Sequence, residues 1–280
     1  MNPLQAVAFD LDGTLLGPHS KLTPRTKAVL DRLHRANIPI IVASGRPFST
    51  IPEEILALDA LRYVVTGNGV RIFDAHTKED VHHSTLRAEA LHGVLRVARY
   101  YPVGYEFFIA GKAFANRAFL NAPETKGVCG GDFSYLLRTR TPFDDVEAFV
   151  AAHSGDIDSM GLSIGNLELR AQLRARLERE VENIYVTASL PRLLEIADKD
   201  AGKASGVGFV LERMGIDAAG LAAFGDADND LGMIQLAGLG VAMENGDAHL
   251  KEAADMIAPT NAEDGVAMVL EKILKENGID

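Results

Sequence analysis

The stretch Ala8-Phe9-Asp10-Leu11-Asp12-Gly13-Thr14-Leu15-Leu16 constrains the fold more than any other part of the chain. An apolar run leads into two carboxylates that stand two residues apart, and a glycine and a hydroxyl follow. Short apolar runs bounded by glycine mark buried strands, so residues 7–10 are expected as a strand and residues 11–14 as the turn leaving its end. Ligands of open α/β sheets bind outside the carboxyl ends of the strands. Asp10 and Asp12 would then face a crevice from a loop held by a rigid element. Two acids this close raise each other's pKa unless a cation neutralises them, and hard oxygen donors of this kind suit Mg²⁺.

The pattern recurs along the chain. Thr23-Pro24 reads as an N-cap followed by proline at the first helical position, opening a helix over residues 26–36. Residues 38–43, IPIIVA, form the unbroken apolar run of a central parallel strand and end at Ser44-Gly45-Arg46-Pro47. A helix over 48–58 leads to a strand over 63–66, which ends at Gly67-Asn68-Gly69. Much later, Gly202-Lys203-Ala204-Ser205 opens a helix to residue 214. A strand over 221–224 runs into Gly225-Asp226-Ala227-Asp228-Asn229-Asp230, and a helix over 231–237, a strand over 239–243 and helices over 247–254 and 263–275 follow. This βαβ rhythm predicts an α/β fold with a doubly wound parallel sheet and right-handed crossovers.

Between these halves the rhythm changes. Helices are expected over 86–101, 144–152 and 167–181, and strands over 105–110, 113–116, 159–164, 185–188 and 193–197, while the Gly-rich stretch 119–132 fits neither. The expected organisation is a core built from residues 1–82 and 191–280, with an α+β module, residues 83–190, inserted into it.

Each chemical feature has a plainer alternative. A single Asp-x-Asp is also a common turn, since Asp caps helices and tolerates turn conformations. Two acidic clusters, each ending an apolar strand, point instead to one oxygen-rich metal site. Asp228 reads as solvated or capping, because three acids and an Asn within five positions exceed what one ion takes. Ser44, with nearby backbone N–H groups, can cradle a phosphate or simply cap a helix. Lys203 sits at a helix start, where its charge opposes the helix dipole. It needs an anionic partner, either Asp10 or a bound phosphate, unless it is solvated. Gly67-Asn68-Gly69 can be no more than a tight turn.

Composition narrows the classes. With 28 Lys+Arg against 39 Asp+Glu the formal charge is −11, which argues against a nucleic-acid binder while leaving room for a locally positive site. Cys129 is the only cysteine, so an internal disulfide is impossible and a reducing compartment fits. The eight histidines lack zinc-ligand spacing. There is no G-x-x-x-x-G-K-[ST] loop, and no G-x-G-x-x-G follows the first strand, which disfavours a hydride-transfer enzyme. No signal peptide or membrane-length apolar run is visible, so a soluble, cytoplasmic protein without membrane or nucleic-acid partners is expected. These patterns carry no information on oligomeric state.

The residues together resemble the haloacid dehalogenase (HAD) superfamily phosphatases, of the Cof-type subgroup IIB with a large C2-type cap. Asp10-Leu-Asp12-Gly-Thr14 matches the first family motif, Ser44 in Ala-Ser-Gly-Arg the second, Lys203 the third, and Gly225-Asp226-Ala-Asp-Asn229-Asp230 the fourth. Gly67-Asn68-Gly69 and Gly240-Val241-Ala242-Met243 also resemble subgroup patterns. Three positions depart from the family: Ala204 where Gly is common, Ala227-Asp228 where Gly-Glu is common, and Met243-Glu244-Asn245-Gly246 in place of Met-Gly-Asn. The resemblance implies a Rossmann-like core with an α+β specificity cap. It further implies Mg²⁺-dependent hydrolysis of small phosphorylated metabolites, sugar phosphates by default, through an aspartyl-phosphate. Asp10 would be the nucleophile and Asp12 the general acid and base. Asp10, Asp226 and the Asp12 carbonyl would hold the metal, with Asp230 or Asn229 in support. Ser44 and Lys203 would bind the phosphate, with Thr14, Gly45, Arg46, Asn68 and Asn229 as further phosphate or substrate residues. The same motifs serve phosphomutases, which return the phosphoryl group to a sugar, and a non-catalytic phosphate-ligand binder is the other alternative.

Overall fold

The computed structural model describes residues 3–128 and 131–279; Cys129 lies outside the described residues. Among these, the strands are β1 (Ala6–Phe9), β2 (Ile40–Ala43), β3 (Leu61–Thr66), β4 (Arg71–Asp74), β5 (Asp80–His83), β6 (Gly104–Ile109), β7 (Lys112–Asn116), β8 (Arg140–Phe143), β9 (Ser159–Ser163), β10 (Ile184–Thr187), β11 (Leu193–Asp198), β12 (Leu221–Gly225), β13 (Leu239–Met243) and β14 (Met256–Ala258). They form an eight-stranded and a six-stranded sheet. The chain divides into two compact units, Met1–His82 with Gly202–Asp280, and His83–Ala201.

In the first unit the strand order is β14-β13-β12-β1-β2-β3-β4-β5. The six strands from β14 to β3 run parallel, and β4 turns back antiparallel on β3. The sheet is doubly wound: from the central β1 the chain builds outward through β2 and β3, then returns to β1's other side with β12. Side chains alternate across the sheet, and because helices cover both faces the strands are apolar throughout. Val7 and Phe9 face one layer, where they meet Val29, Leu30 and Leu33 of helix Pro24–Arg35 and Leu270, Ile273 and Leu274 of helix Gly265–Glu276. Ala6 and Ala8 face the other, with Val207, Val210 and Leu211 of helix Lys203–Met214 and Met233 and Ile234 of helix Leu231–Leu236. The Thr23 side chain caps its helix as expected, accepting from the Thr26 N–H.

Register positions the site. Phe9 stands opposite Val42 on one side and Phe224 on the other. The steps Phe9–Asp10, Ala43–Ser44 and Gly225–Asp226 therefore reach one edge of the sheet together. That edge is the carboxyl end, at the place where the strand order reverses around β1, the usual ligand crevice of such sheets.

The structure departs from the sequence reading in several places. The helix expected over 48–58 is a 3₁₀ turn, Phe48–Thr50, and a separate short helix, Glu53–Leu56. Pro52 lies between them, lacking an N–H and disfavouring helical geometry before it. The β4–β5 extension and the three-residue β14 were not anticipated; such short edge strands carry little periodic signal.

In the second unit the strand order is β10-β11-β9-β6-β7-β8. Its pairs are antiparallel except β7–β8. Helices Ala88–Ala98 and Leu167–Glu180 cover one face, burying Leu91, Val94, Leu173 and Leu177 against Phe107, Leu162 and Ile196. The stretch that fitted neither element begins within helix Arg117–Asn121 and holds a 3₁₀ turn, Pro123–Lys126. Helix Gly131–Thr139 and β8 were also unanticipated. One boundary is corrected. Residues 191–201, assigned to the core by sequence, belong to the inserted unit, because β11 pairs with both β10 and β9. An apolar run of strand length does not say which sheet it joins.

Candidate active site

The carboxyl edge of the first sheet gathers Asp10, Lys203, Asp226 and Asp230. Asp10 follows β1 directly and is 6% exposed. Lys203 is the first residue of its helix and only 1% exposed, a burial that lysine tolerates only when paired. Its ammonium donates to Asp10 Oδ1 at 2.5 Å and to Asp230 Oδ1 at 2.7 Å. The anionic partner that a lysine at a helix start requires is thus a pair of carboxylates.

Asp230 is fully buried, and its second oxygen, Oδ2, accepts from the Asp226 and Ala227 N–H groups at 3.0 and 3.1 Å. Asp226 follows Gly225 at the end of β12, and its Oδ1 accepts from the Thr14 hydroxyl at 2.8 Å. Gly13, at φ +85°, packs directly against the Asp226 carboxylate, and a Cβ there would collide with it. The glycine and the hydroxyl after Asp12 thereby seat Asp226.

Charge is unbalanced in this pocket. One ammonium stands among three carboxylates, Asp10, Asp226 and Asp230, each of which offers one oxygen within 4.8 Å of the others. Burial, reinforced by Asp230 and Asp226, lifts the Asp10 pKa well above the ordinary carboxylate range even though Lys203 pulls it down. Burial, then the Asp230 charge, pushes Asp226 up to about 6. Burial alone would lower the Lys203 pKa, but the Asp10 and Asp230 charges outweigh it and hold the ammonium protonated. A hard divalent cation would relieve this excess, and the all-oxygen donor set fits Mg²⁺. Among the described residues no other group of His, Cys, Asp and Glu has the geometry of a metal site.

Asp12 is oriented differently. Its carboxylate lies outside the cluster, gripped by Arg46 in a two-pronged ion pair, Nε to Oδ2 and Nη2 to Oδ1, each at 2.6 Å. Arg46 Nη1 also donates to the Thr50 carbonyl. Ser44 follows β2, is 1% exposed, and accepts the Arg46 N–H on its Oγ. Gly45 lies between them on this loop.

Asn68 and Asn229 are both buried. Asn229 Nδ2 donates to Asn68 Oδ1 at 2.9 Å, and Asn229 Oδ1 is buried with no hydrogen-bond partner among the described residues. Asn68 also ties the loops together through its backbone: its N–H donates to the Ser44 carbonyl and its carbonyl accepts from the Gly202 N–H. It holds φ +57°, a left-handed conformation that Asn tolerates better than most residues. Gly69 is needed beside it, because a Cβ would strike the Gly202 carbonyl.

All the residues singled out by sequence thus lie on this one edge, with Asp228 apart from the carboxylate cluster and 3.4 Å from His249 Nε2. Sequence reasoning noted Asn245 only as part of a turn that departs from the family pattern and gave it no role; its Nδ2 donates to the Gly13 carbonyl at 2.8 Å.

The fold and the site define an α/β core that gathers a carboxylate–lysine centre at the carboxyl edge of a doubly wound sheet. The chain belongs to the haloacid dehalogenase-like hydrolase family, whose sequence profile matches residues 7–270. A Haemophilus influenzae protein provisionally named a phosphatase is 29% identical over 274 residues, covering 97% of this chain and 99% of that protein. The 5-amino-6-(5-phospho-D-ribitylamino)uracil phosphatase YitU of Bacillus subtilis is 26% identical over 278 residues, covering 95% and 96%. Among solved structures, a haloacid dehalogenase-like hydrolase from Bacteroides thetaiotaomicron superposes with a TM-score of 0.74 at 25% identity, covering 96% of this chain and 99% of that one. A HAD subclass IIB sugar phosphatase shares the fold, with a TM-score of 0.81 at 22% identity and coverage of 99% and 100%. No helix among the described residues is long and apolar enough to cross a membrane.

Proposed function

We propose that this hydrolase is a Mg²⁺-dependent, cytoplasmic phosphatase of small phosphorylated metabolites, sugar phosphates foremost, working through an aspartyl-phosphate. The observation that carries the reading is the buried Asp10 carboxylate at a strand end, 2.5 Å from the Lys203 ammonium and clustered with Asp226 and Asp230. The relatives named as phosphatases support the reaction class.

In this reading an Asp10 oxygen attacks phosphorus and forms the aspartyl-phosphate as the bond to the leaving oxygen breaks. Asp12 gives its proton to that oxygen, then takes one from the water that hydrolyses the acyl-phosphate and frees inorganic phosphate. Positioned proton transfer of this kind is worth about 10²–10⁴-fold. Lys203 and Ser44 hold the phosphoryl oxygens as charge develops on them. Mg²⁺ would be held by the Asp10 and Asp226 carboxylates and the Asp12 carbonyl, with Asp230 or Asn229 in support; bound there it neutralises the repulsion between carboxylate and phosphate. Arg46 steers the Asp12 carboxylate, Gly45 shapes the phosphate loop, and Thr14 orients Asp226. Asn68 and Asn229 lock the loops around the phosphate. The inserted unit is assigned to substrate selection.

A panel of phosphorylated metabolites, scored by released phosphate with and without Mg²⁺, tests the reading. The expected result is Mg²⁺-dependent turnover that Asp10→Asn abolishes while circular dichroism shows an intact fold. Full activity in that variant removes Asp10 as nucleophile. Turnover that needs a bisphosphate activator and frees no phosphate would replace hydrolysis with a mutase reaction.

A further inference from the structure

The turn after β13, where Met243-Glu244-Asn245-Gly246 departs from the family pattern, makes contacts to both acidic loops. Asn245 donates from Nδ2 to the Gly13 carbonyl at 2.8 Å. Its Oδ1 accepts from the Asn261 N–H at 3.0 Å, and Asn261 Nδ2 donates to the Leu16 carbonyl at 2.8 Å. This turn therefore holds the loop carrying Asp10 and Asp12 directly at Gly13 and, through Asn261, at Leu16. It also holds the second acidic loop, because the Asp247 N–H donates to the Asp226 carbonyl at 2.8 Å. Gly246 lies between them, and a Cβ there would stand 2.6 Å from the Asp226 carbonyl oxygen. The turn is itself anchored: Glu244 N–H donates to the Ala258 carbonyl, Lys251 Nζ donates to the Glu244 carbonyl, and Gly246 N–H closes onto the Met243 carbonyl.

We infer that Asn245 is a positioning residue for the metal-binding loops: it fixes the distance between the Asp10–Asp12 loop and Asp226 without touching substrate. The inference rests on the Mg²⁺ reading above. Its physical basis is local. Gly13 packs on the Asp226 carboxylate, so a shift of the Gly13 peptide moves both the neighbouring Asp12 carbonyl and the surface against which Asp226 rests. Asn245 is exposed, and its amide is committed at both ends to backbone groups. A surface side chain spent in this way stabilises a geometry more than a core. Groups that orient metal ligands typically change affinity by about 10–100-fold when removed.

The test is direct metal binding to the purified full chain without substrate, by calorimetric titration of Mg²⁺ and by the paramagnetic resonance of free Mn²⁺. Asn245→Ala is expected to weaken binding about tenfold with an unchanged circular dichroism spectrum. Asn245→Gln, which keeps the amide on a longer stem, is expected to recover part of the loss. Asn261→Ala, which removes the donor to Leu16, is expected to fall between Ala and wild type. Asn245→Ala that binds both ions as tightly as wild type overturns the positioning role. So does a loss of affinity matched by an equal loss of fold in Asn245→Ala but absent from the folded Asn261→Ala. A wild-type chain that binds neither ion refutes the Mg²⁺ reading itself, a result distinct from either.

Discussion

Lys203→Met tests the charge balance at the heart of the site. Methionine nearly matches the lysine stem in volume, so packing is largely preserved while the ammonium disappears. The Lys203 contacts to Asp10 and Asp230, at 2.5 and 2.7 Å, vanish together. Removing one partner of a buried ion pair costs about 3–5 kcal/mol, because the other charge is left uncompensated. Two carboxylates are stranded here, so a loss of about 4–5 kcal/mol is expected near neutral pH. The loss depends on pH in a definite direction. Asp10, already raised in the native protein, then titrates in the folded state still further above the unfolded value of about 3.9. The folded state then binds more protons than the unfolded state between those values, so stability falls as pH rises through that window. The deficit is expected to shrink to about 2 kcal/mol near pH ~5, since each pKa unit is worth about 1.4 kcal/mol. Urea unfolding at both pH values, with and without Mg²⁺, measures it. Added Mg²⁺ is expected to stabilise the variant more than the wild type, because the ion supplies the missing positive charge. A deficit below about 1 kcal/mol near pH ~7.5, or one of equal size at both pH values, refutes the reasoning.

Three shorter predictions follow from the same geometry. With Asp226 raised to about 6, protons compete with the metal, so Mg²⁺ affinity should fall about tenfold per pH unit below that value; calorimetric titrations across the range check this, and a flat profile counts against Asp226 as a ligand. Asp12→Ala should lower turnover about 10²–10⁴-fold with little change in stability, because its carboxylate is exposed and paired only at the surface with Arg46; near-normal steady-state turnover would remove its acid–base role. Gly69→Ala should cost about 2–5 kcal/mol, combining a left-handed φ of +93° with a Cβ forced onto the Gly202 carbonyl; denaturant titration within about 1 kcal/mol of wild type would show that the loops part easily.

Much of the core was legible in the sequence because both of its signals are local. Buried parallel strands need continuous apolar runs, and the loops at their ends need small or charged residues. The helix opened by Gly202-Lys203 is accordingly read to its exact end at residue 214, and the strand over 239–243 to both ends. Pro52 shows where a local signal was underweighted, and β14 where an element is too short to have one. The strand Leu193–Asp198 shows a third kind of gap, since its composition suits either sheet and only its partners place it.

By itself, the sequence determined the chemical types at each strand end: acids after β1 and β12, a hydroxyl after β2, a lysine opening a helix, and glycines where the backbone must turn. Residue identity and local periodicity suffice for that. Only the tertiary structure decided who meets whom. Lys203 needed an anionic partner, and the fold brings it two carboxylates, Asp10 and Asp230, residues 193 and 27 positions away. Asp12 could have joined the acidic cluster, yet it turns to Arg46, while Thr14 reaches Asp226 across 212 positions. Asn245 stood in a turn that departs from the family pattern, with no role attached, and its work depends on the carbonyl of Gly13, 232 positions earlier. These partnerships arise from strand register and loop packing, which are set by the whole chain and are not encoded in any one stretch of it.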